Sequence, residues 1–145
     1  MPNQASNLIG VCAGTSTDEP VSDWMAEGTM VMHGVNKSKK LQDPSAAGGP
    51  CYDPYFLGTL GPALPVLQEK GVKLAVNAGA SDAGMLAKEV ASRVRELGLS
   101  LKVAYIEGDE CIEQIRELRK KGDPLKNLDT GKSLDTWGFE PIYAQ

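Results

Sequence analysis

Two short stretches hold the residues best suited to chemistry. The first is Asn77-Ala78-Gly79-Ala80-Ser81-Asp82, which reads as a turn between a strand end and a helix start. Free N–H groups at a helix start attract anions. Gly79 would let the backbone approach a ligand closely, and Ser81 would add a hydroxyl contact. Asp82 opposes a phosphate, and the stretch is neither a GxGxxG nor a GK[ST] loop. The simpler reading has Gly79 making the turn and Ser81 or Asp82 capping the helix. The second stretch is Glu107-Gly108-Asp109-Glu110. Its carboxylates suit acid–base work or a divalent cation. Equally, Asp109 caps a helix there and Glu110 lies in its first turn, where negative charge is favoured. The candidate ligand-binding residues are therefore Asn77, Gly79 and Ser81, and the candidate acid–base residues are Glu107 and Asp109.

Other reactive types are sparse. Cys12, Cys51 and Cys111 form no CxxC pair, and with a single histidine they do not make a zinc quartet. They read as small, half-buried hydrophobes with reduced thiols. His33, among Met30, Met32 and Val35, reads as a packed or surface residue. Trp24, Trp137, Tyr52, Tyr55 and Phe56 have no basic residues interleaved with them, so they read as core or rim. No metal ligand set and no cofactor is specified.

The elements that must position these residues follow from hydropathy and punctuation. Leu8-Ile9-Gly10-Val11-Cys12 predicts a buried strand ending in a small-residue loop. A helix is expected from Ser22 or Asp23 to about Lys40, weakened by Gly28 and Gly34. Asp53-Pro54 is a strong helix start. The helix expected over 53–70 contains Pro62 and Pro65, which predicts a kink or two short helices. A strand at 72–77, a helix at 83–97 with Leu86, Val90, Val94 and Leu97 on one face, and a strand at 101–107 make a βαβ unit with a right-handed crossover. A last helix over 109–121 buries Ile112, Ile115 and Leu118. The tail at 123–145 is expected to be extended.

Composition sets the outer bounds. The chain has 145 residues, 41% hydrophobic and 23% charged, with a net charge of −4. That is ordinary globular usage for one domain, with no basic field for nucleic acid or an anionic membrane. No apolar run reaches the roughly 18 residues of a membrane span, and the N-terminus has no signal-like pattern. A cytoplasmic location is the expectation.

The stretch from Val72 to Glu110 resembles the acyclic terpene utilisation (AtuA) family, with its strand, N-[AG]-G-[GA] loop, amphipathic helix and LKVA-V-x-GDD segment. Asp23-Trp24-Met25-Ala26-Glu27-Gly28-Thr29-Met30 is similar to the family's D-Y-L-A-E-x-T-M, and Asn127-Leu128-Asp129-Thr130-Gly131 to its N-[ML]-D-T-G. Leu8-Ile9-Gly10 and its loop resemble the family's first strand and glycine-rich turn. These matches keep their order over most of the chain. Glu27, Asn77, Gly79, Gly108 and Asp109 are the positions that fit the motifs.

The resemblance implies a role in breaking down citronellol- and geraniol-type acids handled as CoA thioesters. It also implies a small anionic or CoA-linked ligand. It carries over no catalytic residue. Family members are typically several times longer, and the connection between Gly14 and Asp23 is shorter than theirs, so residues 1–145 read as a truncated N-terminal portion. The expected fold is α/β: an incomplete Rossmann-like three-layer domain with a small parallel sheet. The expected function is an AtuA-like protein that binds an acyl-CoA-type ligand at strand-end loops. The alternative is a non-catalytic AtuA-like module that self-associates or assembles with a missing C-terminal portion. A generic nucleotide-binding domain is disfavoured by the absent glycine and lysine motifs.

Overall fold

A computed structural model describes residues 21–46, 48–138 and 140–144. Among these residues the architecture is mostly helical. Four helices dominate: α1 (Glu27–Gln42), α2 (Pro54–Lys70), α3 (Ala83–Glu96) and α4 (Ile112–Lys120). Among the described residues the only strands are β1 (Val21–Ser22) and β2 (Ala75–Val76), paired in parallel with Val21 opposite Ala75. A 3₁₀ turn, Leu134–Trp137, lies near the end.

Helix α2 is the centre of the fold. Asp53 caps it by accepting the N–H groups of Tyr55 (2.8 Å) and Phe56 (3.3 Å), and Pro54 occupies the first turn, where its missing N–H costs nothing. Gly71 ends it at φ 66°, and Val72 N–H closes the turn on the Leu67 carbonyl at 3.0 Å. Pro62 and Pro65 do not divide it into two helices as the sequence suggests. Both prolines lie on the exposed face, and each stands four residues after a glycine, Gly58 and Gly61. The carbonyls that lose their partners thus belong to residues without side chains, on the solvent side of the helix.

The inward face of α2, from Phe56, Leu57, Leu60, Ala63, Leu64 and Leu67, packs on Leu86, Val90 and Val94 of α3. That three-residue stripe on α3 has the expected helical spacing. Leu97, expected on the same face, is the C-terminal cap residue and half exposed. Trp24 meets Phe56 edge-on, with ring centroids 5.2 Å apart. Helix α1 starts later than expected, at Glu27, because Asp23 turns its carboxylate to Met25 N–H and to Asn77. Thr29 instead closes the helix start, accepting Ala26 N–H at 3.2 Å.

The expected α/β Rossmann-like domain is not what forms. The predicted strand at 72–77 is reduced to Ala75–Val76, and 101–107 is not a strand. A strand persists only where a neighbour takes its backbone groups. The stretch Leu99–Leu101 still packs on the core, but residues 102–109 are exposed, with Ile106 at 92%. With that strand absent there is no βαβ crossover. The predicted strand at 8–12 and its loop at 10–16 lie outside the described residues.

Helix α4 begins at Ile112 with Cys111 at its cap position, so Asp109 is not the cap. Only Ile112 of its expected stripe is buried, and Leu118 is exposed. The residues after it fold back. Asn127 Oδ1 accepts Thr130 N–H at 2.8 Å and the Thr130 hydroxyl at 3.0 Å, which closes the Asn-Leu-Asp-Thr-Gly turn. Arg119 of α4 ion-pairs with Asp135 and Glu140, and Cys111 N–H donates to the Ala144 carbonyl at 2.9 Å.

Candidate functional site

The turn after β2 is stapled from the side. Asp53 N–H donates to the Ala78 carbonyl, and Ser81 N–H to the Cys51 carbonyl, both at 2.9 Å. Ala80 is held at φ 47°, a left-handed conformation that L residues rarely adopt and that tends to occur at functional sites. Asp82 then caps α3, accepting Met85 N–H at 2.8 Å. This fixed turn is the floor of a pocket of about 300 Å³. Residues 106–110 form its rim, and Lys37 of α1, Glu110 and Tyr143 form a wall.

Ser81, Glu107 and Asp109 all line this pocket, although the parallel strand pairing expected to bring them near one another does not form. Asn77 and Gly79 are not among its lining residues. Asn77 is a tie between segments: its Oδ1 accepts Trp24 N–H and its Nδ2 donates to Asp23 Oδ1, both at 2.8 Å. That hydrogen bond is also the main reason the Asp23 carboxyl titrates below its ordinary range. Gly79 is required by close packing, since a Cβ there would lie 2.8 Å from Ala83 Cα and Cβ. Glu107 reaches over the first turn of α3, its Oε1 only 2.9 Å from where a Cβ on Gly84 would be.

Sequence reasoning missed Lys37, Tyr143 and the partnership of Glu110. Lys37 Nζ lies 2.5 Å from Glu110 Oε2 and 5.6 Å from the centre of the Tyr143 ring. The Tyr143 ring rests on Gly34, where a Cβ would come within 2.6 Å of it. Gly34, which looked like a weakness in α1, is the seat for this ring. Nothing local in the sequence links residues 37, 110 and 143.

Burial lowers the Lys37 ammonium, but the Glu110 hydrogen bond and the surrounding negative groups outweigh it, so its pKa ends above the ordinary value. Burial pushes the Tyr143 phenol up, although the nearby Ser81 hydroxyl and Lys37 offset part of that. Ser81 is only 3% exposed, and its hydroxyl sits against the Tyr143 phenol. Cys51, behind the turn, is a buried free thiol raised by desolvation, which makes it a poor nucleophile at neutral pH. His33 is buried too, with Nδ1 3.2 Å from the Pro50 carbonyl. Among the described residues no three His, Cys, Asp or Glu side chains gather to hold a metal ion.

The family model described as acyclic terpene utilisation family protein AtuA matches residues 3–145. The chain belongs to the AtuA family. No curated protein and no solved structure matches it. Membership ties this AtuA-family chain to acyclic terpene utilisation. Among its described residues no helix is long and apolar enough to cross a membrane.

The wall of the AtuA pocket gives an alkaline signature. The pKa values of Lys37 and Tyr143 are both raised on folding, from ordinary values of 10.5 and 10.0. A raised pKa contributes stability that is complete below the unfolded value and is lost as pH rises through the folded value. Urea midpoints are therefore expected to hold steady up to about pH 10 and fall above it. Lys37→Met should flatten part of that fall. An identical alkaline profile in the variant would remove Lys37 from the account.

Proposed function

We propose that this chain serves the breakdown of acyclic terpenes or related branched acids by holding the acyl end of a CoA-linked acid in the pocket beside α3. The carrying observation is the juxtaposition of a polar floor and wall (Ser81, Lys37, Tyr143) with an exposed apolar lip at Ile106. A branched chain lies along the lip while its thioester end enters the polar part. The lining carries Lys37 against Asp82, Glu107, Asp109 and Glu110, so the anionic CoA phosphates stay outside. Glu107 and Asp109, on the rim, are the groups placed to exchange a proton with the bound acyl end. A cytoplasmic location fits a CoA-linked ligand.

Calorimetry with CoA esters of citronellic- and geranic-type acids tests the reading. Binding that weakens in Lys37→Met and Glu107→Gln is expected. A cooperatively folded sample that binds none of these esters overturns it.

A second reading is a module without activity of its own that assembles with a partner. The exposure of Val31, Met32 and Leu41 on α1 favours it. A monomer at all concentrations in sedimentation, with little binding of an apolar dye, would count against it.

A further inference from the structure

We infer that residues 140–144 are a strap that opens and closes over the pocket as one unit, with Tyr143 as its plug, Arg119 as its latch and Gly138 as its hinge. The inference adds a gate to the site, and it rests on the acyl-thioester reading above only for what the gate admits. The motion itself is tested without a ligand.

The plug is closely fitted. The Tyr143 ring rests on buried Gly34 of α1, where even a methyl would displace it, since a Cβ would lie 2.6 Å from the ring. Lys37 Nζ lies 5.6 Å from the ring centre, and the phenol sits against the Ser81 hydroxyl. Tyr143 thus bridges α1 and the turn before α3, and it covers a floor residue that is only 3% exposed. The polar floor is reached with the strap lifted. The strap that carries the plug is lightly held. Residues 140–144 form neither helix nor strand, Ile142 is half exposed, and none of them belongs to the core around α2 and α3. One backbone hydrogen bond, from Cys111 N–H to the Ala144 carbonyl, ties down the far end. At the near end Arg119 pairs with Glu140, and the same guanidinium holds Asp135 at 2.8 Å. Both carboxylates are well exposed, so these pairs contribute little and weaken in salt. Such a segment lies at the low end of local stability and opens without unfolding the core. Gly138 precedes it at φ 75°, a conformation that costs glycine no steric clash. The 3₁₀ turn behind that hinge stays anchored, with Leu134 N–H on the Pro124 carbonyl at 3.1 Å.

The test uses the full chain labelled with fluorotyrosine, the Tyr143 fluorine signal being identified by its absence in Tyr143→Phe. At low salt that signal should show relaxation dispersion from exchange with an open state, while the signal of core-packed Tyr52 should not. Raising sodium chloride to about 1 M should increase the open population by about two- to tenfold, the scale of two exposed ion pairs. Arg119→Gln should give the same increase at low salt and lose the salt response. Gly34→Ala should move the Tyr143 signal to the solvent-like position of exposed Tyr55 and leave Tyr52 in place. A Tyr143 signal without dispersion at either salt, or one that shifts in urea only at the global midpoint, overturns the inference. So does a salt response that survives in Arg119→Gln. Saturating CoA ester of a citronellic-type acid should hold the Tyr143 signal in the open position. An ester that binds and leaves Tyr143 seated overturns the gate and leaves the acyl-thioester reading standing. No binding by folded protein overturns that reading, while the dispersion still upholds the moving strap.

Discussion

Phe56→Ala is expected to lower the unfolding free energy by about 3–5 kcal/mol. Phe56 is 2% exposed and lies in the first turn of α2. Its ring packs into the core and meets Trp24 edge-on, so truncation leaves a cavity and removes the aromatic contact that holds residue 24 against the helix. At roughly 2–4 °C per kcal/mol for a domain of this size, the melting temperature should drop by about 6–20 °C. Tyr55→Ala is the matched control. Tyr55 is its neighbour in the same turn but 77% exposed, so its loss should stay within about 0.5 kcal/mol. Equal losses in the two variants would show that the α2–α3 interface is not the centre of the fold.

Gly79→Ala should destabilise by about 1–3 kcal/mol, the range for overpacking. The added methyl meets Ala83 at 2.8 Å, and one of the atoms it meets is backbone at the start of α3, which cannot rotate away. Gly28→Ala gives the opposite sign. Nothing lies within 4 Å of a Cβ at Gly28 in α1, so the substitution should be neutral or gain up to about 1 kcal/mol from helix propensity. Urea unfolding of both variants checks the pair. A Gly79→Ala protein as stable as the parent would mean that the turn relaxes freely and that glycine is there for some other reason.

These two cases also show what the sequence could reveal. Local signals were legible. Asp53-Pro54 announced the start of α2, and the spacing of Leu86, Val90 and Val94 announced α3. Short β-rich stretches misled, because Leu101–Glu107 has the composition of a strand while strand formation depends on a neighbour. The same distinction divides the site. Ser81, Glu107 and Asp109, singled out for their places beside turns, line the pocket. Asn77 and Gly79 looked equally functional, yet one ties residues 23 and 24 to the turn and the other admits Ala83. Lys37 and Tyr143 carried no local mark. Their role depends on a wall assembled from α1, the segment before α4 and the tail, and such long-range pairing leaves no spacing pattern to read.

The attachment of residues 21–24 to the turn after β2 has a kinetic consequence. It joins segments more than fifty positions apart, through two pairs of strand residues and the Asn77 amide. Closing a loop of that length costs on the order of 3 kcal/mol in chain entropy beyond the constant term, set against few contacts. The parallel packing of α2 on α3 spans a much shorter connection and buries most of the core, so it repays its closure at once. In the order of folding, the α2–α3 pair forms first and residues 21–24 dock last. Substitutions at Asn77 should then speed unfolding more than they slow folding.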